Sequence, residues 1–454
     1  MVGQVSEVFP VDVNHDGWCD FLAVHSLRSP EGNRIERFLS VYIQKANGFS
    51  GKADQVLPLD RDELFFQTAD TDRDSLPELI FLTLDGVYRK TWSNDSCFSG
   101  WIPLVQNRSL FPRPDPFKVI QWSFVHDLEG DGFLELLIPQ AGGMDLYRPN
   151  AEGEYVWACQ LYVPPEGVLD VPSGLSYSIR LPRLVIRDFN ADGVPDLFFM
   201  QGNRLDVFLQ HRGPSFGSAG RVPPDFRFQI GGHEGTGDAK GEPLSVLEIE
   251  DINGDGCADV IEASNSRILR IHYNRSGRFD PVPDQVLLAD QVSFGYFLRD
   301  LNHDGLVDPA FIELSTGLKS LTQFLFSQNY QRVLKCYFSR RDSGFSKQPD
   351  FQLAFKQKFR LNDPLGKKAF LSFEGDFTGD GVADMAVGSI PNTIDIYPGR
   401  AGGVFGKKAA GTIQATVSNA FRIFDVNADG VSDLFFWYPN DTILDGQLVL
   451  LVSG

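Results

Sequence analysis

Eight times along its 454 residues the sequence spaces oxygen-bearing side chains at alternate positions of a nine-residue phrase, Asp-x-Asp/Asn-x-Asp-Gly-x-x-Asp or a close variant. That spacing suits a hard cation. Calcium takes about six to eight oxygen ligands, and a short loop can supply them only by curling around the ion with an oxygen at every second residue. The first copy offers Asp12, Asn14, Asp16, the carbonyl of Trp18 and Asp20. The fourth repeats this with Asp188, Asn190, Asp192, Val194 and Asp196, and the fifth with Asp251, Asn253, Asp255, Cys257 and Asp259. The sixth has Asp300, Asn302, Asp304, Leu306 and Asp308, and the eighth has Asp425, Asn427, Asp429, Val431 and Asp433. The seventh, Asp376, Thr378, Asp380, Val382 and Asp384, places a neutral hydroxyl third.

Two copies depart further. The second, Asp70, Asp72, Asp74, Leu76 and Glu78, has Ser75 where seven copies have a glycine, the residue that most easily takes a positive φ. The third, Asp127, Glu129, Asp131, Phe133 and Glu135, uses longer acids at its third and ninth places. The expectation is five well-formed calcium sites at copies one, four, five, six and eight, a sixth at copy seven, and two sites in question. An EF-hand would need a glutamate at its twelfth position and flanking helices. Here the ninth residue runs instead into apolar β-formers such as Leu197-Phe198-Phe199-Met200, Leu79-Ile80-Phe81-Leu82 and Leu434-Phe435-Phe436.

Similar runs precede the loops, among them Leu184-Val185-Ile186 and Phe421-Arg422-Ile423-Phe424, so each loop joins two antiparallel strands. A third strand and a Gly/Phe turn follow, as in Val41-Tyr42-Ile43 before Gly48-Phe49 and Ile271-His272-Tyr273 before Gly277-Arg278-Phe279. A fourth strand, such as Gln55-Val56-Leu57, usually closes the unit. Four strands in a repeat of 49 to 76 residues make the blade of a β-propeller.

With these motifs the chain resembles the FG-GAP or VCBS repeats of integrin α-subunit propellers and of bacterial surface and secreted proteins. The resemblance covers nearly the whole length. It implies an all-β fold, one propeller over residues 1–454, with the Asp-rich loops between first and second strands. Eight motifs imply eight blades; seven blades with an appended hairpin is the alternative, because no fourth strand is evident after Gln447-Leu448-Val449-Leu450-Leu451. The resemblance also implies about five to eight bound calcium ions. The function it suggests is a calcium-stabilised extracellular recognition or adhesion module for protein or glycan. An enzyme of a different class, a lyase acting on acidic polysaccharide from a calcium-bearing propeller, is the alternative.

Composition bears on partners and location. The formal charge of −19 would fall to −3 if eight dications were bound, so the acid surplus reads as liganding capacity, and nucleic acid is excluded as a partner for the whole surface. Five cysteines, one each in separate units, do not make a disulfide framework. No run of eighteen apolar residues could span a bilayer. Met1-Val2-Gly3-Gln4 leads straight into the first strand without the pattern of an export signal. Extracellular calcium modules bind in the range of about 0.1–1 mM, which points outside the cell. A secreted or cell-surface location, bacterial, with its export signal not visible in this chain, is the expectation.

Catalytic motifs are scarce, and the Gly231 to Gly241 stretch with His233, Glu234, Asp238 and Lys240 reads as an inter-blade loop. The calcium loops keep a constant length while other connections vary, among them Ser26 to Arg37, Pro103 to Lys118, Pro164 to Arg183, Gly231 to Pro243 and Leu314 to Leu334. In a propeller these lie on the face opposite the calcium loops, where a partner is expected. A local excess of eight positive charges between Lys319 and Lys368 suggests an anionic ligand, with Arg340, Arg341, Lys356 and Lys358 as its candidate contacts. The ligand's identity and the oligomeric state are not written in the sequence.

Overall fold

The computed structural model describes the chain except residues 1–2, 29–34, 47, 61, 94–96, 111–118, 171–175, 212–215, 217–219, 231–245, 316–328, 342–343, 359–368, 391, 401, 403–404, 440–445 and 453–454. Every regular element among the described residues is a β-strand; eight blade sheets form a propeller ring, with two short two-stranded ribbons beside them. In the first blade Gln4–Val11, Asp20–Arg28, Ile35–Tyr42 and Gln55–Leu59 lie in that order, each antiparallel to the next. The second strands of the remaining blades are Glu78–Thr83, Glu135–Gln140, Asp196–Gln201, Asp259–Ser264, Asp308–Leu314, Asp384–Ser389 and Asp433–Trp437. Each begins on the ninth residue of an acidic loop, so the repeated phrase is the hairpin turn of its blade.

Position in the ring explains each strand's composition. Second strands are covered on both sides by neighbouring blades and read as continuous apolar runs; Asp196–Gln201 and Asp384–Ser389 are buried throughout. Outer strands alternate, as Phe351–Lys358 does, because one of their faces meets water. The buried side chains fall into eight clusters, each shared by two consecutive blades. No blade buries its faces alone, and this is the physical reason the repeats must close into one ring.

The Gly/Phe turns fill these joints. Phe279 of the fifth blade packs edge-on against Phe228 of the fourth, with ring centroids 4.9 Å apart, and the backbone amide of Phe345 in the sixth donates to Gln285 of the fifth. Ion pairs between first strands add a polar seam, including Arg183 with Glu248 at 2.7 Å and Arg187 with Glu250 at 3.4 Å.

Among the described residues no strand is exchanged between the first and eighth blades. Val5, Val8, Phe21 and Tyr42 of the first blade form one apolar cluster with Val426, Phe435 and Trp437 of the eighth, and Arg422 pairs with Glu7 at 2.7 Å. The chain thus makes eight blades, not seven with an appended hairpin. The eighth shows three strands among the described residues, Ala420–Phe424, Asp433–Trp437 and Leu448–Leu451. A cavity of 480 Å³ lies at this closing joint, lined in part by Phe49, Phe435 and Leu448.

The second and third blades depart most from the pattern. The short segment Ile120–Gln121 adds in parallel to the first strand of the second blade, and Arg221–Val222 adds to the outer strand of the third. Blade three's first strand is reduced to Val125–His126. All five cysteines are free, and among the described residues no helix is long and apolar enough to cross a membrane.

Candidate metal centres

All eight acidic loops lie at the same end of their blades, because each joins a first strand to a second. Their backbones share one conformation. The fourth residue of every loop is left-handed, with φ between 56 and 72°, and so is the sixth, with φ between 73 and 89°. The sixth is glycine in seven loops and Ser75 in the second. The fourth is often not glycine: His15, Arg73, Ala191, His303 and Ala428 all hold this conformation, which costs roughly 1–2 kcal/mol for a residue with a Cβ. Sequence reading saw the sixth position and missed the fourth, since nothing in the residue types there marks it.

The first-position aspartate holds the curl. Its Oδ2 accepts the amide of the sixth residue in every loop, from Gly17 to Asp12 at 2.9 Å to Gly430 to Asp425 at 2.7 Å, and Ser75 to Asp70 keeps the same bond at 2.9 Å. The fifth-position aspartate accepts the amide of the seventh residue, as Asp192 does from Val194 and Asp255 from Cys257, both at 2.8 Å. Where the third residue is asparagine, its amide nitrogen reaches the fifth carboxylate; Asn14 to Asp16 measures 2.9 Å and Asn253 to Asp255 3.0 Å. These carboxylates are largely exposed and carry lone pairs beyond those the backbone uses.

The ninth residue is different. Asp20, Asp196, Asp259, Asp308, Asp384 and Asp433 are buried to within about one per cent, as are Glu78 and Glu135 to 2%. In every loop one of its oxygens accepts the amide of the second residue, for instance Phe189 to Asp196 at 2.8 Å. In blades one, four, five, six and seven the other oxygen accepts an amide just beyond the third strand, from Gln44, Gln210, Asn274, Ser339 and Gly399 at 2.7–2.8 Å. The ninth carboxylate therefore staples the loop to the Gly/Phe turn. Burial pushes these acids up, to about 6 at Asp20, Asp196 and Asp308 and about 7 at Asp259, with the backbone amides pulling the other way. The neighbouring aspartates of each loop push in the same direction, a repulsion that a cation held there would offset.

Adjacent loops overlap like shingles. The carbonyl of Asp188 accepts the amide of Ala258 in the next loop at 2.8 Å, and that of Asp376 accepts the amide of Ser432 at 2.6 Å. A Cβ on Gly254 would come within 2.6 Å of Leu306 in the following loop, which adds a packing reason for glycine there.

The donor sets divide the loops. In blades one and four to eight, oxygens at positions one, three and five, the seventh carbonyl and the ninth carboxylate fit calcium: Asp12, Asp188, Asp251, Asp300, Asp376 and Asp425 with their partners would hold it. In the second loop Asp70, Asp72, Asp74 and Glu78 bring their ligand atoms within 4.8 Å of one another, the one such acidic group among the described residues. A side-chain cation is already there. Arg89, on the third strand Val87–Ser93, sets Nη1 3.1 Å from Asp72, 3.8 Å from Glu78 and 3.0 Å from the Thr71 hydroxyl. In the third loop Arg148 places Nη2 2.6 Å from Glu129 and donates to the Phe216 carbonyl at 3.1 Å. Sequence reading missed both arginines.

The four basic residues suggested as ligand contacts are not brought together. Arg340 and Arg341 follow the third strand of blade six at the acidic-loop end, where Arg340 pairs with Asp350 at 2.5 Å and Arg341 lies beside Gly254. Lys356 and Lys358 are exposed on the outer strand, and Lys358 sits opposite Asn329 at the other end of the blade. At about 3.3 Å per residue the strand separates the two ends by roughly 20 Å. Nearby Lys335 is buried between Asp290 and Glu313, at 2.6 and 2.8 Å. Residues 316–328 of the long insertion and the Gly231 to Gly241 cluster lie outside the described residues.

The FG-GAP-like repeat model matches residues 251–309 and 376–436, each span starting on the first aspartate of one loop and running past the next. The chain is a β-propeller, two stretches of which match the FG-GAP-like repeat model. Among solved structures it is similar to an Agrocybe aegerita lectin described as specific for non-reducing terminal N-acetylglucosamine, at 14% identity over 91% of this chain and 94% of that one, with a TM-score of 0.46. It is also similar to BBS1N, solved in complex with ARL6DN, at 11% identity over 87% and 94%, with a TM-score of 0.41. Saccharomyces cerevisiae Sqt1 follows at 8% identity over 96% of each chain, with a TM-score of 0.39. No curated protein sequence matches the chain.

Proposed function

We propose that this protein is a calcium-stabilised recognition module, rather than an enzyme, that works outside the cell and binds a protein or glycan through the face opposite its acidic loops. The observation that carries the reading is the division of labour between the two ends of the blades. At one end, six loops of constant length share a curled backbone lined with aspartate and asparagine oxygens and backed by a buried carboxylate. At the other end leave the connections of variable length, among them the ribbon of Glu166–Asp170 and Ser176–Arg180. Variable loops on a rigid scaffold are where recognition is usually carried.

Calcium at these loops is structural. Each ion would cross-link the first and second strands of its blade and, through the shingled contacts, its neighbour. Millimolar affinity suits an extracellular setting, where calcium saturates such sites. The test is a glycan and surface-protein binding screen run in millimolar calcium and again in chelator. The expected result is a retained, chemically unchanged ligand whose binding weakens when the ring loses its ions. Release of unsaturated, ultraviolet-absorbing products from an acidic polysaccharide would replace this reading with a lyase.

A further inference from the structure

We infer that Arg89 and Arg148 stand where the other loops need a metal, so that the acidic loops of blades two and three close on an internal guanidinium and take no calcium. The inference rests on the calcium reading for the other six loops. It comes from a pairing of two independent departures. These are the two loops whose third position is an acid, Asp72 and Glu129, where the rest have asparagine or threonine. They are also the two whose third strand directs an arginine onto a loop carboxylate; in loops one, four, five, six and seven no described lysine or arginine forms such a pair.

The placement matters more than the charge count. Nη1 of Arg89 touches the third position and approaches the ninth, the side chains that would face an ion across the loop. Its guanidinium is mostly shielded, with 17% of the side chain exposed, and Glu78 has 2%. In the third loop Arg148 and Glu129 are 17% and 8% exposed. A shielded guanidinium in ionic contact with these carboxylates offsets their charge and repels a dication at close range. In both loops the ninth residue is a glutamate, and among the described residues neither Glu78 nor Glu135 accepts an amide from beyond the third strand as Asp20 and Asp259 do; the arginine on that strand reaches the loop instead, at Asp72 and Glu78 in blade two and at Glu129 in blade three. The two loops also brace each other, with the Arg73 guanidinium 4.4 Å above the Phe133 ring. Arg89 lies against two of the four acids that gather within 4.8 Å of one another in loop two.

The consequence is a ring with two arcs. Blades two and three hold their loops at any calcium concentration, whereas the arc from blade four round to blade one depends on the ion. Residue-resolved hydrogen exchange on the full chain, with millimolar calcium and with chelator, reads this directly. In the wild type, removing calcium should speed exchange of the Gly193 and Gly256 amides by about tenfold or more, while Ser75, Leu76 and Gly132 change less than about twofold. In chelator, Arg89→Gln should speed exchange at Ser75 and Leu76 by about tenfold, Arg148→Gln should do so at Gly132, and Arg89→Lys should restore part of the protection. Equal calcium response in loops two and four of the wild type, or unchanged loop-two exchange in Arg89→Gln, overturns the inference. Loops four and five indifferent to calcium, with loop two still dependent on Arg89, would retire the calcium reading and leave the arginine one standing.

Discussion

Loops four and five and loops two and three have the same backbone and different electrostatics. Both pairs hold left-handed residues at positions four and six, the same amide bonds to the first and fifth carboxylates, and a buried acid at the ninth place. Under the proposed function one pair would offer its oxygens to an external ion; the other receives an arginine. The shape of the loop is therefore set by aspartates folding back on their own amides, and a cation, where one is bound, would neutralise the charge that this folding concentrates. Once the two tasks are separated, either can vary alone. Ser75 shows the same independence from the backbone side, since it holds φ 73° where glycine is usual and keeps the amide bond to Asp70.

The largest effect should come from removing calcium altogether. A site whose dissociation constant lies tenfold below ambient calcium contributes about 1.4 kcal/mol, so six independent sites add roughly 8 kcal/mol. That is comparable with the whole stability of a typical domain, about 5–15 kcal/mol. Thermal melting in excess chelator should drop sharply, and an unchanged curve would break the comparison at its root.

Next in size is loss of a ninth-position staple. Asp259→Ala strands two buried amides, those of Ile252 and Asn274, each costing about 1–3 kcal/mol when left unpaired. The variant should be destabilised by roughly 2–6 kcal/mol with or without calcium. Denaturant unfolding in both conditions checks it; a loss confined to the calcium-loaded protein would make Asp259 a ligand first and a staple second.

Metal counting then sharpens the contrast between the pairs. Asp192→Ala and Asp255→Ala should each lose one ion and about 1–2 kcal/mol of calcium-dependent stability. Asp74→Ala should lose none. Equal losses in all three would merge the two classes of loop.

The smallest expected effect on stability belongs to the exposed charges. Reversal of Arg340, Arg341, Lys356 and Lys358 to Glu should leave melting within about 1 kcal/mol, because exposed ion pairs such as Arg340 with Asp350 contribute little. Its effect on an anionic partner should differ by location, since the two pairs occupy opposite ends of blade six. Binding measured for the two double reversals separately, over a salt series, identifies which end takes part.

Much of this molecule is local and repeated, and that part was legible in the sequence. The loops, the strands abutting them and the Gly/Phe turns are set by residues within a few positions of one another, and eight registered copies leave one architecture that can bury them all. Residue spacing likewise exposed the departures at Ser75, Glu129 and Glu135. Tertiary structure alone decided what depends on register between strands and on contact between blades. Arg89 reaches loop two because it pairs across the sheet with Ile80, beyond the loop's end, and Arg148 reaches loop three from its own third strand. A pattern confined to nine residues cannot contain such a partner. The ninth carboxylate's hold on the third-strand exit, the left-handed fourth residue and the division of the basic sector between two ends of one blade have the same origin. Each is fixed by where strands begin and end in space, which pleat and pairing determine, whereas the order of charges along the chain is blind to it.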